Sequence, residues 1–253
     1  MLINRPEGNF NYASGQAPWN AVHCSDVLPH DGYQVVHATF IQAVALVPAF
    51  EAIQAHLAGL GRPMTALCGL ELRIANALTF DGIKAFNAEY IALLNSYGLR
   101  DDNRATTTRT NVAPELSIAK PKLPSVYGFS YIVPGARAGY KSFVCSGSGE
   151  LAGGTRDTIV KLGDISPEGL REKARWVMQM YDKRLPTLGL SWADATTVNL
   201  YCTHSPMSFL VSEMLGVMGV GAWLGVHWHY ACPPIIETEF EADVRGTALE
   251  VYL

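Results

Sequence analysis

The sequence predicts a mixed α/β (α+β) fold made of two tandem modules, each a mixed β-sheet with two helices packed on one face. The main observation is an order of elements that occurs twice, namely strand, helix, strand, helix, strand, strand. A second observation is helical periodicity in the long segments between the strands. We place an irregular N-terminal arm at residues 1–30, module one at 31–134 and module two at 135–253, with PGARAG at 134–139 as the link.

Module one contains two helices whose apolar residues recur at spacings of three and four. In the second of them, Ile83, Phe86, Tyr90 and Leu94 form one stripe, which is typical of a helix that packs on a sheet. Asp81 is expected to cap this helix and Gly98 to end it. The predicted order is strand 33–42, helix 47–61, strand 66–76, helix 80–99, strand 104–113 and strand 125–133.

Module two repeats this order. Ser166, Pro167 and Glu168 give a strong helix start, because proline fits the first turn and a carboxylate suits the positive end of the helix dipole. The strands at 104–113 and 225–232 carry polar or aromatic residues at alternate positions, so we expect the free sheet faces to close against other modules with pockets at the seams. The predicted elements are strand 141–150, helix 166–189, strand 194–204, helix 207–219 and strands 225–232 and 237–244.

Composition narrows the class of partner. The net charge is -4 and no run of Lys and Arg is present, which disfavours nucleic acid and anionic membrane surfaces. The longest apolar stretch, 214–224, is too short to span a bilayer, and the first residues lack a signal-peptide pattern. We expect a cytoplasmic protein that binds a small molecule. The five cysteines are odd in number and scattered, which favours reduced thiols.

Several segments resemble the RidA/YjgF family of enamine and imine deaminases over roughly residues 30–253. SFVCSGSGEL is similar to the family's strand that ends in Ser-Gly-Gln, and LGLSWADATTVNLYCTH to its stretch between the first helix and second strand. CPPIIETEFEADV resembles the closing Leu-Pro, spacer, Glu-Ile-Glu-Ala segment. In module one, FNAEY resembles Val-Asn-x-x-Tyr and TRTNVAPEL resembles Ala-Arg-x-x-Val.

The resemblance implies a set of site residues. Glu239 falls on the family's catalytic glutamate, and Asn87 falls on a residue of the family's pocket. Two arginines compete for the carboxylate anchor: Arg109 fits the local pattern, while Arg104 fits the spacing from Asn87. On a regular strand these arginines would lie on opposite faces, so only one is expected to enter the pocket, and we favour Arg109. The matched SFVCSGSGEL segment adds three substrate-binding candidates, Ser146, Gly147 and Glu150.

Departures from the family pattern indicate how the site is assembled. Module two has Trp223 and no arginine before its fifth strand, and VYGFSYIV in module one lacks the glutamate. A composite site is therefore expected, with an arginine from module one and Glu239 from module two. The alternative is one catalytic copy and one that serves as scaffold.

His227 and His229 lie two positions apart on a predicted strand, which places both imidazoles on one face. Zinc could use such a pair, but no second pair of ligands at a diagnostic spacing is present, so no metal is predicted. The two histidines are instead expected to contact an acidic organic substrate or to pack in an interface between modules, and we include them among the substrate-binding candidates.

Tandem chains of this size are similar to the 2-aminomuconate-type deaminases of bacterial aromatic degradation. The resemblance implies hydrolysis of an enamine or imine dicarboxylate, chlorinated or not, to the 2-hydroxy or 2-oxo acid and ammonia, without a cofactor. Family members form trimers, so a homotrimer of six modules is expected. Two alternatives stay open: a general 2-imino acid deaminase, and a noncatalytic small-molecule-binding protein of the same fold.

Overall fold

The computed structural model describes residues 1–135 and 139–253 and contains two large mixed β-sheets, each with helices on one face, and a separate two-stranded sheet at residues 100–105. The predicted mixed α/β fold is confirmed. The predicted link at 134–139 lies partly outside the described residues. The helices are α1 (Leu46–Gly59), α2 (Phe80–Ser96), α3 (Pro167–Thr187) and α4 (Gly216–Met218), the last preceded by a π-helical turn at Leu210–Leu215. The strands are β1 (Leu2–Arg5), β2 (Phe10–Ser14), β3 (Cys24–Pro29), β4 (Tyr33–Ala45), β5 (Leu67–Arg73), β6 (Arg100–Asp101), β7 (Arg104–Ala105), β8 (Thr108–Pro114), β9 (Ser125–Pro134), β10 (Phe143–Gly149), β11 (Thr197–Tyr201), β12 (His227–His229), β13 (Ala231–Cys232), β14 (Glu241–Gly246) and β15 (Leu249–Tyr252).

The two sheets share one strand order in their central parts. The first sheet runs β13-β8-β5-β9-β4-β15 and the second runs β1-β2-β3-β10-β14-β11-β12. Four strands of each half therefore lie in the order first, fourth, second, third: β4-β9-β5-β8 and β10-β14-β11-β12. In both cases the second and third strands are parallel and the other central pairs are antiparallel.

Helix ends follow local sequence signals. Ser166 caps α3, since its hydroxyl accepts the Gly169 N–H at 3.1 Å, as its sequence predicts. In α2 the cap is Thr79, whose hydroxyl accepts the Gly82 N–H at 3.0 Å, and not the predicted Asp81. Asp81 instead pairs with Lys84 in the first turn. Gly98 follows α2 with a positive φ of 65°, a conformation that favours glycine.

Each helix layer covers one sheet. Phe50 and Ile53 of α1 and Tyr90 of α2 are fully buried in the core of the first sheet. Val177 and Tyr181 of α3 are fully buried in the core of the second. The predicted helix at 207–219 forms as a short 3₁₀ turn, the π-helical turn and α4, which pack in the same core.

The two sheets meet through the faces that carry no helices. Alternation along the strands sends Val35 and Val144 to this interface while their neighbours Val36 and Phe143 face the helices. Polar residues continue the interface, and Asp243 accepts hydrogen bonds from Thr110 and Tyr201, both at 2.8 Å. We expected the helix-free sheet faces to close against other modules. In this chain, the helix-free faces of the two sheets pack against each other.

The N-terminal segment departs from its prediction. Residues 1–30 were expected to be irregular, but β1, β2 and β3 form antiparallel pairs and β3 pairs with β10. The alternation of Phe10 and Tyr12, both fully buried, with polar neighbours is the signal for a strand. The arm is therefore the outer part of the second sheet.

The carboxyl-terminal half contributes strands to the first sheet in return. The strand predicted at 225–232 divides, so that β12 pairs with β11 and β13 pairs with β8. The unpredicted β15 runs parallel to β4. The first sheet thus includes two strands from the second half of the chain, and the second sheet includes three strands from the N-terminal segment. No helix in the described part of the chain is long and apolar enough to cross a membrane.

Candidate active site

A cavity of about 1300 Å³ lies where the edge of β8 meets β10, β14 and the N-terminal strands. We call it the seam cavity. It contains polar groups from three parts of the chain, including His23, Arg109, Asn111, Ser146 and Glu241. Trp19, Ile83, Trp176, Met180 and Ile235 give it apolar walls. A concave site with a few convergent polar groups is typical of small-molecule binding.

Arg109 is buried at the end of the seam cavity nearest to α2. Its Nη1 donates to Oδ1 of Asn87 at 2.8 Å, and its guanidinium carbon lies 5.1 Å from the ring centre of Tyr90. Burial lowers the pKa of Arg109, but an arginine remains charged at neutral pH. No salt bridge to Arg109 occurs within 4 Å among the described residues. Asn87 thus orients a buried cation that is available to a carboxylate.

The irregular part of β10 at Ser146 and Gly147 lies beside Arg109. The Ser146 hydroxyl accepts the main-chain N–H of Arg109 at 3.0 Å and donates to the Cys24 carbonyl at 2.7 Å. A Cβ on Gly147 would lie 2.5 Å from Oε1 of Glu241 and 2.9 Å from Oγ1 of Thr110. Only glycine therefore allows β10 to approach this closely, at a point where its register with β14 shifts. Both predicted residues line the cavity.

Glu241 is the carboxyl group that shares the cavity with Arg109. Burial, followed by the charge of Asp243, raises the pKa of Glu241 to about 8, although Arg109 opposes the shift. The group is therefore mostly protonated at neutral pH. Glu241 was not among the predicted site residues, because the family resemblance selects the first glutamate of EFEA. The available signal was strand alternation, which places Glu239 and Glu241 on one side.

Glu239, the predicted catalytic glutamate, lies elsewhere. Its Oε2 is 2.9 Å from Nε2 of His204, and it is not among the residues that line the seam cavity. The structure therefore brings Arg109 together with Glu241 and not with Glu239. The physical reason is that β14 begins only at Glu241, so Glu239 precedes the strand that faces the cavity.

Glu150 was predicted to bind substrate and instead holds the second half together. Its carboxylate is fully buried, lies 3.2 Å from Nζ of Lys173, and accepts the main-chain N–H groups of Glu239 and Phe240 at 2.5 and 3.1 Å. Burial raises its pKa, and Lys173 opposes that shift. All these interactions link α3 to the segment before β14, so the role of Glu150 is structural.

Arg104 and Arg109 both line the seam cavity. The prediction that only one would enter assumed a regular strand, but β7 and β8 are separate, with Thr106 and Thr107 between them. Arg104 is paired with Asp102 at 3.4 Å, and its Nε has no hydrogen-bond partner. A second cation therefore lies at the more exposed part of the cavity.

His227 and His229 do not reach the seam cavity, contrary to prediction. They lie on β12 at the outer edge of the second sheet, where His229 stacks on Tyr201 with ring centres 4.9 Å apart. Burial and then Arg73 lower the pKa of His229 to about 4, so its ring is neutral. Across the described ranges, no group of three or more His, Cys, Asp and Glu side chains is placed to hold a metal.

Three further cavity residues come from segments whose role was not predicted. His23 has Nδ1 3.3 Å from the Ser146 hydroxyl, and burial and Arg109 lower its pKa to about 4. Arg184 of α3 lies 3.0 Å from Asp26 of β3. The N-terminal strands therefore contribute directly to the wall of the cavity.

A buried arginine and a protonated carboxyl group around one cavity define a candidate enzyme for a small carboxylate substrate. The sequence model of the family described as 2-aminomuconate deaminase CnbZ matches residues 2–251, so the chain belongs to that family. It is 39% identical over 235 residues to a 2-amino-5-chloromuconate deaminase of Comamonas testosteroni, covering 91% of this chain and 92% of the relative. The predicted deaminase class is confirmed at the level of the family.

A solved chorismatase structure covers 94% of this chain and 77% of its own, with 11% identity and a TM-score of 0.44.

Proposed function

We propose that this chain hydrolyses the C–N bond of 2-aminomuconate or a chlorinated derivative, giving the 2-oxo or 2-hydroxy acid and ammonia. The observation that carries the proposal is that Arg109 and the protonated Glu241 share one cavity. The family membership and the 39% identical deaminase support the choice of substrate.

Among the described residues, three arginines line the seam cavity; Arg184 is paired with the buried Asp26, and the other two suit a substrate with two carboxylates. Arg109 is the buried cation, held by Asn87, and binds the carboxylate next to the amino group. Arg104 lies in the more exposed part of the cavity and binds the distal carboxylate. The apolar walls accommodate the conjugated chain, and a chlorine substituent fits the same surroundings.

Glu241 can carry the proton through every step. Its acid form protonates a carbon of the enamine, which gives an iminium and the carboxylate. The carboxylate then takes a proton from the attacking water as the C–O bond forms, and returns that proton to nitrogen. When the C–N bond breaks, the hydroxyl proton passes to Glu241 and ammonia leaves. The net reaction consumes one water and restores the acid.

Substitutions in the cavity separate the proposed role of Glu241 from the role that the sequence predicted for Glu239. Glu241→Gln should lower kcat at least a hundredfold, because the amide cannot exchange a proton, and Arg109→Met should mainly raise KM. The measurement is ammonia release from 2-aminomuconate. In the wild type, kcat/KM should fall above about pH 8 as Glu241 ionises.

Glu239→Gln is the matched control, since Glu239 lies two residues away and outside the cavity lining. It should retain activity within a few fold. Loss of ammonia release in Glu239→Gln, with Glu241→Gln active, would reject the assignment. Faster release from imines of ordinary amino acids than from 2-aminomuconate would instead favour a general 2-imino acid deaminase.

We also propose that the two halves are tandem RidA-like modules with a composite site, in a cytoplasmic homotrimer that needs no cofactor. The shared strand order of the two sheets supports the duplication. Arg109 comes from the first half and Glu241 from the second, which supports the composite site. A solution mass of one chain, measured by light scattering, would reject the trimer.

A further inference from the structure

Asn111 has a buried, unpartnered amide side chain in the lining of the seam cavity. It is 3% exposed, and neither its Oδ1 nor its Nδ2 has a hydrogen-bond partner. Two other buried asparagines differ: Asn87 accepts from Arg109, and Asn199 donates to Asp243. Buried amides are normally hydrogen-bonded, so an unpartnered one next to reactive groups points to a missing ligand.

The position of Asn111 fixes which part of a ligand it could meet. It lies two residues after Arg109 on β8, so the two side chains emerge on the same face about 6 to 7 Å apart along the strand. Both residues line the cavity, as does Glu241. A group bound here would lie beside whatever carboxylate Arg109 holds.

We propose that Asn111 recognises the 2-amino or 2-imino nitrogen of the substrate, an inference that rests on the proposed function. The nitrogen donates an N–H to Oδ1, and Nδ2 donates to the adjacent carboxylate. The 2-oxo product offers only acceptors at this position, so it can satisfy Nδ2 but not Oδ1. Asn111 thereby favours the aminated substrate over the 2-oxo product.

Asn111→Leu tests the inference, because leucine has a similar size and no polar atoms. Its kcat/KM for 2-aminomuconate should fall at least tenfold. The inhibition constant of muconate, which has the same carbon chain and carboxylates but no nitrogen, should rise by a clearly smaller factor, because muconate loses only the hydrogen bond from Nδ2. Arg109→Met should weaken both ligands. Asn76→Leu, an exposed asparagine outside the cavity, is the control and should change neither.

Binding without turnover separates the two proposals. In Glu241→Gln, calorimetry should show at least tenfold tighter binding of 2-aminomuconate than of muconate, and adding Asn111→Leu should remove that preference. If the wild type releases no ammonia but the preference exists and depends on Asn111, the proposed function fails and nitrogen recognition stands.

Three results would overturn the inference. The first is an equal loss of muconate and 2-aminomuconate binding in Asn111→Leu, and the second is an unchanged kcat/KM. The third is a failure of both Asn111→Leu and Asn111→Ala to fold. An unpartnered buried amide destabilises the fold, so the inference predicts that both variants melt at or above the wild-type temperature. If neither variant folds, the amide has a structural role instead.

Discussion

Arg109 and Glu241 illustrate how burial sets the charge of each group in the seam cavity. The arginine keeps its charge because its pKa starts far above neutral, even though burial lowers it. The glutamic acid keeps its proton because burial and Asp243 together outweigh the attraction of Arg109. The cavity therefore contains a cation and a neutral acid side by side, a combination suited to binding an anion and protonating it.

The raised pKa of Glu241 predicts a pH dependence of stability. The group has an ordinary pKa of 4.5 and a folded pKa of about 8, so the folded state holds the proton more tightly. The free energy of unfolding should therefore fall as pH rises between these values, by ~3 to 5 kcal/mol from this group. Glu241→Gln should remove that part of the slope, measured by urea unfolding between pH 5 and pH 9.

Glu51→Gln, at an exposed position on α1, is the control and should keep the wild-type slope. Identical slopes for Glu241→Gln and the wild type would mean that Glu241 ionises normally in the folded protein.

The sequence predicted part of this site. Arg109, Ser146 and Gly147, which the motifs selected, all line the seam cavity, because the local patterns of β8 and β10 are clear. Glu241 was missed by two residues, because strand alternation places Glu239 and Glu241 on the same side and no local signal shows that β14 begins at the second of them. His23 could not be found, because its proximity to Ser146 depends on the pairing of β3 with β10.

At the scale of single elements, α3 depends on the buried pair of Glu150 and Lys173. Both side chains are fully buried, so removing one partner leaves an uncompensated charge. Glu150→Gln should lower the free energy of unfolding by ~3 to 5 kcal/mol, measured by chemical denaturation. Because Glu150 lies outside the seam cavity, the folded variant should keep the wild-type KM.

Glu168→Gln provides the comparison, because Glu168 pairs with Arg171 on the exposed side of the same helix. Its effect should be below ~1 kcal/mol. An equally small effect of Glu150→Gln would show that the buried pair contributes little to the stability of α3.

The predictability of elements follows the strength of their periodicity. The helices α1, α2 and α3 were predicted well because their apolar stripes are clear, although a capping residue was predicted correctly only for α3. The segment at 207–219 was less regular than predicted, and its glycines at 216 and 219 favour the interrupted geometry. The division of 225–232 into two strands was not predictable, since periodicity does not show that β12 and β13 pair in different sheets.

At the scale of the whole molecule, the two halves are joined by exchanged strands. β15 covers the edge of β4. Glu250 lies 2.5 Å from Nδ1 of His37, and main-chain hydrogen bonds join Leu253 to Thr39 and Ile41. Removing residues 248–253 should expose that edge. Hydrogen exchange should then speed up at the β4 amides and remain slow at those of β14.

Equal protection of β4 in the truncated and full-length proteins would show that β15 adds no stability to the first sheet. A five-residue truncation at the other end, removing residues 1–5, should instead leave β4 unchanged and affect β2.

The sequence predicted two similar halves but not their interleaving. A repeat detected along the chain identifies elements that belong to one pattern, whereas β1, β2, β3 and β15 lie outside that pattern. Their partners are set by the packing of the two sheets, which no local signal encodes.

The exchanged strands also constrain the time course of biosynthesis. β3 leaves the ribosome long before its partner β10, and β4 long before its partner β15. One hydrogen-bonding edge of β3 and one of β4 therefore stay unpaired until those partners have been synthesised. Nascent intermediates with such edges are prone to intermolecular pairing, which chaperones prevent. Two units with no exchanged strands would not need these long-range pairings, so we expect this polypeptide to reach its folded state only after most of the chain has been synthesised.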